Sequence, residues 1–344
     1  MKYDLVPQSP REARALEEAP HARALLDPFL PMVVSRALVA AVRLDLPRSL
    51  AGDARTPADL AAEHDMDPDG LGHLLAVLAA AGWVEASGPD GFRLSPLGRL
   101  ALLPGSPARL DAWVAHNRIH ERALAHLEES LLAVGDRDLH HHLESPEDWA
   151  TYQRAMLQTA RPAAAALAST MLEPPIRTLL IDLGGSHGLY GAAVCRRFPP
   201  MVSRVLEIPP AIETARAAAE SEGIGDVVEH VEADVLEADL GSEVASVVFM
   251  GNLVHHVEDR PLADLLARAR RALVPGGVLA IWDMAPAPEP DLVGAGFSLL
   301  FWLTSACGCR VPGDLVRALE AAGLRDSRIH PPLSPTHVLV TARR

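Results

Sequence analysis

The chain has 344 residues, 49% of them apolar, with a formal net charge of −14. That length accommodates two domains and a large core, and the acidic balance excludes nucleic acid or an anionic membrane surface as the main partner. Cys195, Cys307 and Cys309 form neither a C-x-x-C pair nor a disulfide framework, which fits a reducing cytoplasm.

The opening MKYDLVPQSP lacks the apolar core of a signal peptide, and no run reaches the roughly 18 apolar residues of a membrane span. Residues 1 to about 20 are polar and expected to fray. Pro28 to Arg43 is apolar nearly all round, so the helix predicted there has to be buried, and in a small N-terminal domain a second subunit would bury it. Thr56-Pro57-Ala58-Asp59 is a helix start, with a capping threonine and proline at the first helical position. A helix from about Asp69 to Ala81 follows. Trp83–Glu85 and Phe92–Leu94 then flank Ser87-Gly88-Pro89-Asp90-Gly91 as a hairpin. This is the winged-helix order, usually a DNA reader. Its recognition-helix segment, DGLGHLLAVLAAAG, has no Arg or Lys, and the first 110 residues hold 11 basic against 14 acidic residues. Reading DNA is therefore not expected.

Residues 106–172 read as helices and carry Trp113, His116, Asn117, His120, Trp149, Tyr152 and Met156. His140, His141 and His142 lie beside a loop at Asp136–Asp138. Adjacent histidines point different ways on any regular element, so no metal site is expected. Pro174-Pro175 marks a domain edge. The expected division is 1–105 and 106–344, with a core at 176–344.

From 176 on, strand-like runs (178–183, 203–207, 227–231, 245–250, 278–284) alternate with helical ones (188–198, 210–221, 261–273, and later 312–322). Two end strands follow, at about 326–330 and 336–342. Such alternation predicts an α/β, Rossmann-like, mostly parallel sheet covered on both faces, and its last strand is expected to be antiparallel. Its ligands bind at the carboxyl ends of the strands.

The stretch TLLIDLGGSHGLYG (178–191) is a strand, a glycine turn and a helix start. Glycines let backbone approach a ligand, and helix N–H groups face it. Leucine at 183 rules out the G-x-G-x-x-G dinucleotide fingerprint. Asp182 ahead of the glycines suits a cationic ligand such as S-adenosylmethionine. Glu207 ends the second strand, near the ~20-residue spacing of an acid that binds ribose hydroxyls. Asp234 follows the third strand, Gly251-Asn252-Leu253-Val254-His255-His256 the fourth, and Asp283 ends the fifth.

With these residues placed, the chain resembles the class I S-adenosylmethionine-dependent O-methyltransferases of the plant caffeic-acid type and their bacterial natural-product relatives. IDLGGSHG stands for the family's D-x-G-G-G-x-G, LEIPPAIETA for its D-L-P-x-V-I-E-x-A, EADVLE for its G-D-F-F-E and LVHHVEDR for its V-L-H-D-W-x-D-E. PGGVLAIWD matches its glycine-turn strand ending in an acid, and Tyr152–Met156 its substrate-facing F-N-x-x-M. The resemblance implies that Asp182 and Gly184 face the methionine end of S-adenosylmethionine. Glu207 would take the ribose diol, Asp234 and Val235 would hold adenine, and Gly251 would join the cofactor site. It makes His255 the base, oriented by Asp283 and more weakly by Asp314. Asn117, Tyr152, Met156, His256 and Trp302 would face the substrate, and the N-terminal winged-helix domain would form a homodimer. Departures are Gly-Ser-His at 185–187, Gly251 where a Lys or Arg is frequent, and His256-Val257 in place of Asp-Trp; His256 is the rival base.

The aromatic residues Phe297, Phe301 and Trp302, with Trp282, Trp113 and Trp149, are expected either to form a lid over a flat substrate or to pack between subunits. The expected function is methylation of a small secondary-metabolite molecule in a bacterial cytoplasm, as in antibiotic biosynthesis. Alternatives are a carbon or nitrogen acceptor, such as a 2-oxo acid, or a ligand-sensing winged-helix regulator.

Overall fold

The computed structural model describes residues 6–7, 9–88, 91–132, 137, 142–286, 289, 291–305 and 307–344. The expected histidine run and its loop fall mostly outside these residues; of that stretch Arg137 and His142 are described. The chain forms two compact units, residues 2–118 and 119–344.

The first unit contains α1 (Pro10–Glu18), α2 (Arg23–Arg43), α3 (Leu46–Ser49), α4 (Pro57–His64), α5 (Pro68–Ala80), the hairpin β1 (Val84–Ser87) and β2 (Gly91–Leu94), α6 (Pro96–Leu102) and the start of α7 (Asp111–Leu124). Local chemistry fixes the helix starts. Thr56 Oγ1 accepts from Asp59 N at 3.1 Å, and Ser95 Oγ accepts from Gly98 N at 3.0 Å while donating to Gly82 O, each capping an otherwise unpaired first-turn amide. Leu46, Leu60, Leu75 and Leu78 are fully buried in the core of this unit. Only the end of α2 reaches that core, through Leu38, Val39 and Ala41. Leu25, Phe29 and Met32 are 71%, 51% and 62% exposed. Charged residues break every long apolar run in this helix. Even so, Pro20–Arg43 is long enough, and its most apolar 18-residue window, with a mean hydropathy of 1.7, apolar enough, to cross a membrane by length and composition alone, which corrects the run-length expectation.

The second unit adds α8 (Leu127–Leu132), α9 (Pro146–Thr170), β3 (Leu179–Leu183), α10 (Leu189–Arg197), β4 (Val202–Glu207), α11 (Pro209–Ser221), β5 (Val228–Glu232), β6 (Ala245–Gly251), α12 (Asp259–Ala272), β7 (Leu273–Met284), α13 (Leu292–Ser305), α14 (Pro312–Ala321), β8 (Arg325–Ile329) and β9 (His337–Arg343). The seven strands are ordered β5-β4-β3-β6-β7-β9-β8. The first five are parallel, and β9 runs antiparallel to both neighbours.

Because side chains alternate along a strand, Leu180, Val247, Phe249 and Trp282 pack against α9 and α10, through Leu167 and Val194. Ile181, Val248, Leu279 and Ile281 face the opposite way, against Leu265 and Leu266 of α12 and Leu315 of α14. Chain order reverses beside β3. The ends of β3, β4 and β6 are therefore neighbours at the carboxyl edge, where a crevice opens in such sheets.

Candidate active site

Three groups meet at this edge: a buried acid, a glycine loop and a histidine turn. Asp182, in β3, is 1% exposed, and neither carboxylate oxygen has a hydrogen-bond partner of full geometry among the described residues. Burial, and then the charge of Glu207, raises it to about 7, against a smaller opposing effect of the Gly191 amide. The loop wraps closely over this carboxyl. A Cβ at residue 185 would lie 2.3 Å from Asp182 Cγ. At Gly188, with φ +74, a Cβ would lie 2.8 Å from Val228 Cγ1, so only glycine fits these positions.

Glu207 closes β4. Its carboxylate accepts from Ser186 N at 3.1 Å and Ile208 N at 2.9 Å, which ties the loop to the strand end. The Ser186 hydroxyl donates to Gln153 Oε1 on α9, and His230 Nε2 donates to Ser186 O at 2.9 Å. His187, 3% exposed, accepts from Leu189 N at 3.0 Å, and burial lowers it to about 4. It is therefore a neutral acceptor. The Gly-Ser-His departure thus builds a polar net under the loop, a role that its residue types alone did not signal.

After β6, residues 254–256 form a single 3-10 turn. His255 is buried, and its Nδ1 donates to Asp283 Oδ1 at 2.5 Å. A carboxylate only accepts, so this contact selects the Nδ1–H tautomer and leaves Nε2 to receive a proton. Asp283 is held in turn by Val254 N at 2.9 Å and Met284 N at 2.7 Å. Phe301 of α13 stacks on the His255 ring, centroids 3.7 Å apart and planes 15° apart. The His256 ring lies 4.1 Å from that of His255, and its Nδ1 meets Ser305 Oγ.

The other expected site residues divide. Asp314 does not reach His255; it pairs with Arg317 on its own helix, with its side chain 52% exposed. Its local i,i+3 partner prevails over the long-range one. Asp234 is exposed and uses one oxygen to accept from Leu236 N, while Val235 is buried beside it. Gly251 ends β6, where a Cβ would lie 2.8 Å from the Phe249 ring. Tyr152 lies on α9 near Glu207, whose charge, after burial, holds the phenol above its ordinary range. Met156 is half-buried one turn further along. Asn117 belongs to the first unit, where its amide donates to Trp113 O at 3.1 Å. Trp302 lies under the Arg137 guanidinium at 4.1 Å. Trp282 is no lid residue: it is 1% exposed and stacks on His337, centroids 5.0 Å apart. Among the described residues no group of three metal-ligating side chains occurs.

Residues 110–304 match the family model of the O-methyltransferase domain, and residues 27–103 that of the O-methyltransferase dimerisation domain. The chain is 27% identical over 329 residues to an O-demethylpuromycin-O-methyltransferase of Streptomyces alboniger, covering 90% of this chain and 86% of that one. It is 28% identical over 351 residues to a 3-amino-4-hydroxybenzoate 4-O-methyltransferase of Streptomyces cremeus, covering 97% and 94%. Among solved structures, the mitomycin 7-O-methyltransferase MmcR superposes with a TM-score of 0.81 at 26% identity, covering 97% of this chain and 100% of that one. Human N-acetylserotonin methyltransferase in complex with S-adenosylmethionine superposes with the same score at 18% identity, covering 99% of each.

Proposed function

The chain belongs to the O-methyltransferase family, whose methyl donor is S-adenosylmethionine, and on that premise we propose that it methylates a phenolic hydroxyl of a small secondary metabolite, with His255 as general base. One observation carries this reading: a buried imidazole, fixed by a carboxylate on Nδ1, stands beside a glycine-lined, acid-floored cradle. The cradle suits the donor. Asp182 is a buried carboxyl whose oxygens lack a hydrogen bond of full geometry among the described residues, complementary to a cationic amino-acid end. Glycine at 185 and 188 leaves room where any Cβ would intrude. Asp182 and the backbone at Gly184 would hold the methionine end, Glu207 the ribose, and Val235, with Asp234 and Gly251, the adenine side. When bound, S-adenosylmethionine supplies an electrophilic methyl group on a sulfonium.

A phenol, with pKa near 10, is a poor nucleophile until it loses its proton. Nε2 of His255 takes that proton as the oxygen attacks, and Asp283 stabilises the imidazolium and fixes the ring. The base contributes roughly 10²–10⁴-fold, and alignment of donor and acceptor as much as about 7–11 kcal/mol. Phe301, flat on His255, shields that ring from water. Tyr152, Met156, His256 and Trp302 are the proposed acceptor contacts. The Streptomyces cremeus relative named above acts on a hydroxybenzoate, which supports a phenolic acceptor. The exposed apolar residues of α2 and the match to a dimerisation domain support a homodimer formed through residues 1–105, and the unpaired cysteines support a cytoplasmic enzyme.

The test is mass spectrometry of products from methyl-labelled S-adenosylmethionine with a panel of phenols, amines and 2-oxo acids. An O-methyl phenol supports the reading. A product methylated only on carbon or nitrogen overturns the oxygen acceptor while leaving the cradle in place.

A further inference from the structure

The turn that carries His255 is gripped from two sides by opposite charges, and we propose that Arg310 is a positioning residue for the His255–Asp283 pair. The proposal rests on the reading of His255 as the base. A three-residue turn satisfies few of its own polar groups: His256 N reaches Leu253 O at 2.9 Å, and Val257 N reaches Val254 O only at 3.4 Å. Its donors face Asp283, whose Oδ2 accepts from Val254 N at 2.9 Å and His255 N at 3.4 Å. Its carbonyls face Arg310. Nε donates to Val254 O at 3.0 Å, and Nη2 donates to Val257 O. The two carbonyls bracket His255 and His256, so one guanidinium spans the whole turn.

The remaining edge, Nη1, meets Asp259 Oδ1 at 2.6 Å at the start of α12. The Arg310 side chain is 17% exposed, whereas that of Asp259 is 93% exposed. The inner contacts are therefore the shielded ones, and the outer ion pair is a weak surface pair. Arg310 itself is fixed through its neighbour, since Cys309 N donates to Ser298 Oγ of α13 at 3.1 Å. The same helix lays Phe301 on His255 and Ser305 on His256. The rigid planar fork of arginine can hold two carbonyls and a carboxylate at once, which a lysine ammonium on a flexible stem cannot. Without it both carbonyls lose the guanidinium, and Val254 O keeps only the long contact from Val257 N. The turn is then free to rotate, and Nδ1 drifts from Asp283. A displacement of about 1 Å in a reacting group is enough for about a hundredfold loss of rate.

The experiment compares Arg310→Met, Arg310→Lys and Asp259→Asn in the full-length protein. Binding of S-adenosylhomocysteine is measured by calorimetry, steady-state kinetics with the best acceptor from the product screen, and the low-field Nδ1 proton of His255 by NMR. The expected result is that Arg310→Met binds S-adenosylhomocysteine within about twofold of the parent. It keeps its acceptor KM, loses roughly 30- to 100-fold in kcat and broadens the Nδ1 signal. Arg310→Lys falls between it and the parent, Asp259→Asn stays near the parent, and methylguanidinium restores part of the Arg310→Met turnover. Unchanged kcat and an unchanged Nδ1 signal in Arg310→Met overturn the proposal. So does a kcat loss that only parallels lost S-adenosylhomocysteine binding and melting temperature in both Arg310 variants, which marks a folding role. The NMR signal decides without any acceptor. Full turnover by His255→Ala would instead remove the base reading, and this proposal with it.

Discussion

Asp182→Asn isolates the charge at the floor of the cradle while keeping its shape. Burial and the Glu207 charge lift the Asp182 carboxyl from 3.8 to about 7. A group that holds its proton more tightly folded than unfolded stabilises the fold below about pH 4, and this stabilisation is lost as pH rises through about 7. The interval from 3.8 to about 7 amounts to about 4 kcal/mol. In the ligand-free protein, the stability of the parent relative to Asp182→Asn should thus decline by up to about 4 kcal/mol between pH 4 and 7, read from urea unfolding at stepped pH.

Donor binding should run the other way. If S-adenosylmethionine requires the ionised carboxylate, the competent fraction rises from about 0.03 at pH 5.5 to about 0.5 at pH 7, a roughly 15-fold gain in affinity. Across that window the ligand's amino group, with a pKa of about 7.7–8.0, stays cationic, and His187 and His337, held near 4 by burial, stay neutral. Calorimetry should show this slope in the parent and a flat profile in Asp182→Asn. A slope of equal size in both proteins would refute the assignment of Asp182 to the ligand's cationic end.

His255→Ala should lose at least about 10²-fold in kcat with donor affinity kept within about twofold, while His256→Ala keeps most turnover; the reverse pattern would make His256 the base. Gly191→Ala would set a Cβ 2.4 Å from Ser203 Oγ and 2.9 Å from Asp182 Oδ2, and should destabilise the protein by about 1–3 kcal/mol, visible as a lower denaturation midpoint. Met32→Asp, on the exposed apolar face of α2, should shift light-scattering mass from dimer toward monomer without changing donor affinity per chain.

The sheet was legible because buried parallel strands leave apolar runs and the intervening helices leave 3.6-residue periodicity. Each of the five parallel strands begins and ends within a residue of its expected bounds, except β7, which ends as expected but starts early. That strand starts at Leu273 because Leu273 pairs with Ala245 ahead of a register irregularity, although Pro275-Gly276 reads as a turn. In α2 the reverse occurred: Pro28 reads as a helix start, yet the helix begins at Arg23 with Pro28 and Pro31 inside it.

Of the site, the acids and histidines at the strand ends were visible as a set, because sheet topology gathers strand ends whatever lies between them. What long side chains do there was not. Arg310 sits between a cysteine and a valine, and nothing local says that its fork spans the 254–257 carbonyls. Gln153 and His230 meet at Ser186 from elements 77 residues apart in sequence, so their contact is a tertiary fact. Asp314 failed for the opposite reason, since a local partner three residues on was already available. Trp282 was misassigned to a lid because composition shows an aromatic residue but not its face. Its alternation along β7 with the inward Val278 and Ala280 carried the answer.

A crystal structure with S-adenosylhomocysteine bound tests the central claim most directly. The expected density lies over residues 184–188, with ribose hydroxyls on the Glu207 carboxylate, the amino group toward Asp182 and sulfur pointing to the side of the crevice that holds His255 Nε2. Ligand elsewhere on the chain, or sulfur turned away from His255 with Glu207 out of hydrogen-bond reach of the sugar, would contradict it.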